Sequence, residues 1–140
     1  MKGAHLAHVA LALEDDSRLL ALCCALGLRV APAEAIPSDG VRAVMVEAGE
    51  SRLEILTPTD PEGPVGRFLA RRGPGIHHIA LGVRDLPAIL ERLAADGVRL
   101  IDAAPRRGAG DSSVAFIHPE GTGGVLVELV EEGGTRPFEP

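Results

Sequence analysis

The chain has 140 residues, of which 46% are hydrophobic, so it can form one folded domain with a real core and is not disordered. Its 14 basic and 20 acidic residues give a net charge of −6, which excludes a sequence-independent nucleic-acid binder because such proteins need a positive surface. Three Phe, no Tyr and no Trp exclude base-stacking platforms and aromatic cages.

The sequence favours a reduced, cytoplasmic protein. Cys23 and Cys24 are neighbours inside an apparent helix, so their side chains point to different faces, and we interpret both as reduced, buried small hydrophobes. No run approaches the ~20 apolar residues of a membrane span. The acidic stretch 14–16 lies where a signal peptide would need small residues for cleavage. We therefore expect a cytoplasmic protein with no membrane and no nucleic-acid partner.

The first half of the chain is predicted to fold in the order β-α-β-β-β. Its helix has Asp15, Asp16 and Ser17 as candidate N-caps and ends at Gly27. The apolar side chains at helical spacing are Leu19, Leu20, Cys23 and Leu26. The strands are short apolar runs bounded by turn residues. They are predicted at residues 8–13, 28–31, 41–46 and 52–56.

The second half repeats this order. Asp85 is the candidate N-cap of its helix, and Gly97 ends it. The apolar face of the helix comprises Leu86, Ile89, Leu90 and Leu93. The strands are predicted at residues 78–83, 100–101, 113–117 and 125–130. A short helix is predicted at residues 65–72, between the two halves.

The repeat predicts a single α+β domain made of two fused β-α-β-β-β modules. Module 1 covers about residues 5–57, a linker covers residues 58–74, and module 2 covers residues 75–132. If the modules pack as pseudo-twofold mates, their curved mixed sheets form one cleft, and equivalent residues of the two halves converge in it.

Four polar side chains interrupt otherwise apolar strands at matching places in the two halves. His8 and His78 each open a first strand, and Glu54 and Glu128 each lie in a last strand. A carboxylate between apolar neighbours is costly to bury without a partner. Two His and two Glu around one point form a ligand set for a divalent metal with positions left open, so we predict a metal-centred cleft. We interpret His77 as structural and His5 as solvated.

The chain resembles the vicinal-oxygen-chelate (glyoxalase-like) superfamily, and most closely its methylmalonyl-CoA epimerase family. The most specific similarities are GIHHIAL at residues 75–81, AFIHP at 115–119 and GGVLVEL at 123–129. Further similar stretches are HVALAL at 8–13, LEILTP at 53–58, FLARRG at 68–73 and GVRLID at 97–102. Together they cover nearly the whole chain.

The resemblance implies a metal held by His8, Glu54, His78 and Glu128. Co²⁺ is the expected ion, and Mn²⁺, Zn²⁺ or Ni²⁺ suit the same nitrogen and oxygen donors. It further implies an isomerase that moves the α-proton of methylmalonyl-CoA through an enolate, in propionate metabolism, with Glu128 as a catalytic acid/base. The implied partner is a small acyl-CoA substrate, and the implied assembly is a homodimer.

The chain departs from the epimerase pattern at several positions. Ala43 stands where some epimerases have a second acid/base Glu, and Glu47 lies on the same strand face by parity. Glu120 and, near the glycine turn, Ser112 stand where the family tends to have Lys. We expect Arg106 and Arg107, just before the turn at residues 108–110, to bind the CoA phosphates instead.

Two alternatives remain open at the level of sequence, because a fold and its metal do not fix a substrate. One is another metal-dependent lyase or isomerase of the superfamily that acts on a small oxo-acid or thioester. The other is a non-catalytic module that binds a small ligand. The intact set of four ligand candidates disfavours the binding module, and the fourth candidate, Glu54, disfavours a ring-cleaving oxygenase with two His and one carboxylate.

Overall fold

The computed structural model describes residues 3–132, which form three α-helices and nine strands in a mixed α+β fold. The helices are α1 (Ser17–Ala25), α2 (Pro64–Arg72) and α3 (Leu86–Ala95). The strands are β1 (His5–Ala12), β2 (Arg29–Val30), β3 (Glu34–Ile36), β4 (Val41–Ala48), β5 (Ser51–Pro58), β6 (Gly75–Gly82), β7 (Arg106–Arg107), β8 (Ser113–Ile117) and β9 (Val127–Glu131). In the described part of the chain, no helix is both long and apolar enough to cross a membrane.

The chain divides into two compact units. The N-terminal unit comprises residues 8–77, and the C-terminal unit comprises residues 3–7 together with 78–132. In the N-terminal unit the strands lie in the order β2-β4-β5-β1, and β3 also pairs with β4. β1 is parallel to β5, and the other pairs are antiparallel. In the C-terminal unit the order is β7-β8-β9-β6, with β6 parallel to β9 and the remaining pairs antiparallel.

In each unit a helix covers one face of the sheet. Cys23 of α1 lies in an apolar cluster with Val44, Val46 and Ile55 in the N-terminal unit. α3 contributes Leu86 and Leu90 to the corresponding cluster of the C-terminal unit. Complete burial of each Leu or Ile contributes ~1.5–3 kcal/mol. Because side chains alternate along a strand, His8, Glu54, His78 and Glu128 belong to the opposite faces, away from these two helices.

The linker between the predicted modules folds as expected around a helix. α2 includes Pro64 as well as the predicted residues 65–72, because proline suits the first turn of a helix, where its missing N–H would have no partner. Val65 and Leu69 of α2 pack against the face of the N-terminal sheet that carries Ala10 and Ala43.

Two of the side chains predicted to lie in the core are exposed. Leu26 is 66% exposed because α1 ends at Ala25 and Gly27 then adopts a φ of +77°, which leaves Leu26 outside the last turn. Cys23 is buried as predicted, but Cys24 is exposed because adjacent helical residues point to different faces. The prediction that both thiols are buried was therefore wrong for Cys24.

Several strand predictions needed correction. β1 and β6 each begin three residues before the predicted start, so His8 and His78 lie within their strands and do not open them. The strand predicted at 28–31 is only β2, and β3, whose Glu34 and Ala35 are exposed, was not predicted. Residues 100–101 form one bridge, from Leu100 to Ile117, and β7 takes the edge instead. The strand predicted from Val125 begins at Val127, because the turn before it leaves Val125 51% exposed.

Candidate metal site

In the N-terminal unit, β1 and β5 place His8 and Glu54 side by side. Ala10 pairs with Glu54, so His8, two residues earlier, lies on the same face as the carboxylate. Nε2 of His8 is 3.4 Å from Oε1 of Glu54, and both side chains are buried.

The C-terminal unit repeats this arrangement. Ala80, two residues after His78, pairs with Glu128 between β6 and β9. Nε2 of His78 is 3.9 Å from Oε2 of Glu128, and both side chains are again buried. The sequence repeat is therefore preserved in strand register, in direction of pairing and in the side chains that it brings together.

The same four residues also differ from the other polar residues of the described chain in being buried. In residues 3–132, His8, Glu54, His78 and Glu128 are the polar or charged side chains that are buried, at 4–7% relative exposure. Buried charges in proteins are paired or coordinate metals, because desolvation otherwise disfavours them. Every candidate ligand predicted from the sequence thus has the burial that a metal ligand needs.

The spacing within each pair suits a shared metal ion. Ligand atoms ~2.1 Å from one ion lie about 3.0–4.2 Å apart when they subtend ~90° or more at it. The separations of 3.4 Å and 3.9 Å fall in this range. A charge-assisted hydrogen bond would bring nitrogen and oxygen to ~2.7–2.9 Å. Each pair therefore fits two ligands of a divalent ion better than a closed ion pair.

The other two histidines near these strands have different surroundings. His77 is half-buried, and its ring meets Phe68 edge-on with centroids 5.0 Å apart. Burial lowers the pKa of His77 below its usual 6.5, and the nearby charge of Glu54 partly opposes this. The aromatic packing agrees with a structural role for His77. His5 is exposed, in agreement with the sequence interpretation.

The structure gives Ala43 and Glu47 distinct environments on one strand. Ala43 is buried in an apolar cluster with Leu56 and Val65, so position 43 itself offers no acid/base group. Glu47 lies at the other end of β4, where its Oε2 is 3.7 Å from Nε of Arg29.

Arg106 and Arg107, the predicted phosphate ligands, lie on the two-residue strand β7. Nε of Arg106 is 3.4 Å from both carboxylate oxygens of Asp102, and its guanidinium lies over the ring of Phe116. The side chain of Arg107 is 82% exposed, with Nη2 4.0 Å from Oδ1 of Asp111.

Glu120, where the resemblance led us to expect a lysine, pairs with Arg99. Nη1 of Arg99 donates to Oε2 of Glu120 at 2.7 Å, and this hydrogen bond and charge hold the pKa of Glu120 below its usual value. The pair is exposed, so its two charges offset each other at the surface.

Phe116 is a residue near the site that the sequence interpretation did not single out. Its ring meets the imidazole of His78 edge-on, with centroids 5.2 Å apart and planes at 85°. It also pairs with Glu128 in the β8–β9 register. Alternation in β8 predicts which neighbours share its face, but only the register shows that the ring lies opposite a candidate ligand.

Comparison with known proteins gives consistent similarities. Residues 7–116 match the family described as Glyoxalase/Bleomycin resistance protein/Dioxygenase superfamily. The chain is 40% identical over 114 residues to the uncharacterized protein YqjC of Bacillus subtilis, covering 81% of each chain. It is 35% identical over 124 residues to the mitochondrial methylmalonyl-CoA epimerase of Homo sapiens, covering 87% of this chain and 70% of that one.

A solved structure of a methylmalonyl-CoA epimerase in complex with methylmalonyl-CoA and NH4+ superimposes with a TM-score of 0.88. It is 34% identical and covers 95% of this chain and 97% of its own.

Proposed function

Because the chain belongs to the glyoxalase/bleomycin resistance protein/dioxygenase superfamily, we propose that it is a metal-dependent epimerase that interconverts (2R)- and (2S)-methylmalonyl-CoA. One observation carries the proposal: the four buried polar side chains of residues 3–132 are two His–Glu pairs in equivalent register. A binding module that needs no metal would gain nothing from burying these four groups.

We propose that His8, Glu54, His78 and Glu128 hold one divalent ion between them. Co²⁺ is the favoured ion, and Mn²⁺, Zn²⁺ and Ni²⁺ also accept imidazole and carboxylate ligands. When bound, the ion supplies Lewis-acid stabilisation of the negative charge that develops on the thioester oxygen as the α-proton leaves. The support is that both pairs have the burial and the donor spacing of metal ligands.

Epimerisation removes a proton from the carbon between the thioester and the carboxylate, and returns one to the opposite face. We propose Glu128 as one of the proton carriers, acting through its carboxylate. Its burial keeps bulk water away from the proton in transfer, which suits general acid/base catalysis. Glu54 is proposed as a ligand only.

The phosphates of CoA are proposed to bind at β7 and the turn that follows it. Arg107 extends its side chain into solvent, and Arg106 lies beside it. The turn closes through a hydrogen bond from the N–H of Gly108 to the carbonyl of Ser112. A guanidinium group offers paired donors and a fixed charge to phosphate oxygens.

We propose a homodimer that acts in the cytoplasm on a small acyl-CoA. The reaction is proposed as a step of propionate metabolism. The two free cysteines suit a reducing compartment. The exposed Leu22 and Leu26 of the α1 region provide apolar surface that a second copy can cover.

Ala43 favours one alternative function. A superfamily lyase or isomerase for a small oxo-acid or another thioester would use the same four ligands and would not need a carboxylate at position 43.

The test is exchange of the α-proton of methylmalonyl-CoA in D₂O, followed by mass spectrometry with and without added Co²⁺. The proposal predicts metal-dependent incorporation of deuterium. Absence of exchange with Co²⁺, Mn²⁺, Zn²⁺ and Ni²⁺ would reject the epimerase in favour of the alternative.

A further inference from the structure

Asp102, Arg106 and Phe116 form a connected group, here called the Phe116 clamp, beside one of the proposed metal ligands. The edge-on contact of Phe116 with His78 has ring centroids 5.2 Å apart. Aromatic rings prefer this geometry, so the contact restricts rotation of the imidazole about its bond to Cβ.

The backbone of Phe116 is fixed on the side away from β9. Its N–H donates to Oδ2 of Asp102 at 2.8 Å, and its carbonyl accepts from the N–H of Ile101 at 2.9 Å. Because these groups face the 101–102 segment, Phe116 and Glu128 form a non-hydrogen-bonded pair of the antiparallel ladder. Side chains approach most closely in such pairs, so Phe116 borders both proposed ligands of the C-terminal unit.

Arg106 also contacts the ring of Phe116. Its Cζ lies 5.4 Å from the ring centroid of Phe116, within the range of a cation–π contact. The carboxylate of Asp102 that fixes the Phe116 backbone also lies 3.4 Å from Nε of Arg106. One carboxylate therefore fixes both the strand that carries the ring and the cation that packs on it.

We infer that Phe116, held by Asp102 and Arg106, is a positioning residue that sets the orientation of the His78 imidazole toward the metal. This inference rests on the proposed function, because it takes His78 as a ligand. Metal-binding histidines are commonly oriented by a hydrogen-bonding partner of the second ring nitrogen, and loss of such a partner typically weakens metal binding by about 10–100-fold. The edge of the Phe116 ring is an additional contact that restricts the His78 imidazole in the same way. Arg106 thus has a role beyond the phosphate contact proposed above.

The test titrates metal-free protein with Co²⁺ and records both the dissociation constant and the visible absorption of the bound ion. Phe116→Leu removes the ring edge, so we expect metal affinity about tenfold weaker and an altered Co²⁺ spectrum. Phe116→Tyr keeps the ring and restores both readouts to within about threefold of the wild type. Circular dichroism and thermal melts establish that each variant is folded.

Arg106→Ala and Arg107→Ala form a matched pair that keeps Phe116 in place. We expect Arg106→Ala to weaken Co²⁺ binding and change the spectrum, and Arg107→Ala to leave both unchanged, because Arg107 does not contact the ring in the described structure. Wild-type affinity and spectrum in both Phe116→Leu and Arg106→Ala, or equal losses in the two arginine variants, would overturn the inference. Failure of the wild type to bind any divalent metal would instead overturn the proposed function, and the inference with it.

Discussion

Glu54 and Glu128 are chemically identical and occupy equivalent register positions, yet their proposed roles in the reaction differ. Each faces the Nε2 of a histidine from its own unit. A buried carboxylate needs charged, hydrogen-bonding or metal partners, and a histidine of the same unit is one such neighbour of each Glu. Only Glu128 is also proposed to carry a proton. A substitution that keeps an oxygen ligand but removes the titrating carboxylate therefore distinguishes the roles of the two residues.

Glu128→Gln is expected to lower kcat by about 100-fold or more, the usual contribution of a general acid or base. Glu54→Gln keeps an oxygen donor at a position that needs only a ligand, so we expect less than about tenfold loss. Both are measured at matched, saturating Co²⁺ occupancy. Equal losses in the two variants would show that Glu128 has no special part in proton transfer.

The arginine pair at β7 is expected to act on substrate binding. Replacing both Arg106 and Arg107 by Ala should raise KM for methylmalonyl-CoA at saturating metal. Arg107→Ala alone, which leaves the contact of Arg106 with Phe116 intact, should raise KM with kcat nearly unchanged, as loss of uniform binding requires. Steady-state kinetics with Arg99→Ala as a control for lost surface charge would check this. An unchanged KM would place the phosphates elsewhere.

Glu120 gives a prediction on pH dependence. The hydrogen bond and charge of Arg99 lower the pKa of Glu120 in the folded protein, so the folded state releases this proton more readily than the unfolded chain does. The stabilising contribution is therefore complete above the ordinary value of 4.5 and is lost as the pH falls through the folded pKa.

Urea unfolding at about pH 6 and about pH 3.5 should consequently show a larger loss of stability for the wild type than for Glu120→Gln. The effect is small because the pair is exposed. A wild type that gains stability relative to Glu120→Gln on acidification would contradict the assigned direction.

Helix α2 requires a glycine at a position where helix propensity alone would favour another residue. A Cβ added at Gly66 would overlap the backbone oxygen of Pro61 and lie 2.7 Å from its Cα. Backbone atoms cannot move away as a flexible side chain can, so the helix and the turn before it approach closely only because residue 66 has no side chain.

Gly66→Ala should therefore lower the free energy of unfolding by ~1–3 kcal/mol through overpacking, although Ala in a helix ordinarily stabilises by ~0.5–1 kcal/mol. Ala70→Gly, at an exposed position of the same helix, serves as the control and should cost ~1 kcal/mol from propensity alone. Chemical denaturation measures both. An increase in the stability of Gly66→Ala would show that the turn at Pro61 can move to make room for the added methyl group.

Elements with a strong local pattern were predictable, and elements set by side-chain hydrogen bonds were not. β8 has the predicted bounds because residues 113–117 form an apolar run after a glycine turn. Asp102 shows the opposite case. Its carboxylate takes the Phe116 N–H that a longer edge strand would have bonded, so residues 100–101 form a bridge and β7 lies further along the chain. The hydropathy pattern does not indicate that a side-chain carboxylate takes the place of a neighbouring strand here.

The duplication made it possible to predict which histidines and glutamates are buried in the strands, because it repeats ionisable residues at matching positions of apolar strands. The strand registers then explain why these residues pair: each Glu lies opposite the alanine two positions after the His. Phe116 was not predictable as a neighbour of His78, because nothing in one strand's alternation gives its register on the next.

We propose that the two His–Glu pairs of the molecule bind a single ion. Duplication can produce either one shared site or two separate sites, and both would show buried pairs with the observed spacing. Four protein ligands would hold one divalent ion more firmly than the two ligands of a single pair would, and a site of this kind would still have room for a substrate.

Counting metal per chain decides between these outcomes. Wild type, His8→Ala and His78→Ala are loaded with Co²⁺, dialysed, and analysed for metal by mass spectrometry and for folding by circular dichroism. A shared site predicts about one ion per wild-type chain and nearly none in either variant, because a lost ligand typically weakens binding by at least the ~10–100-fold seen for lost outer partners. Two ions per wild-type chain, with one retained in each variant, would contradict a shared site.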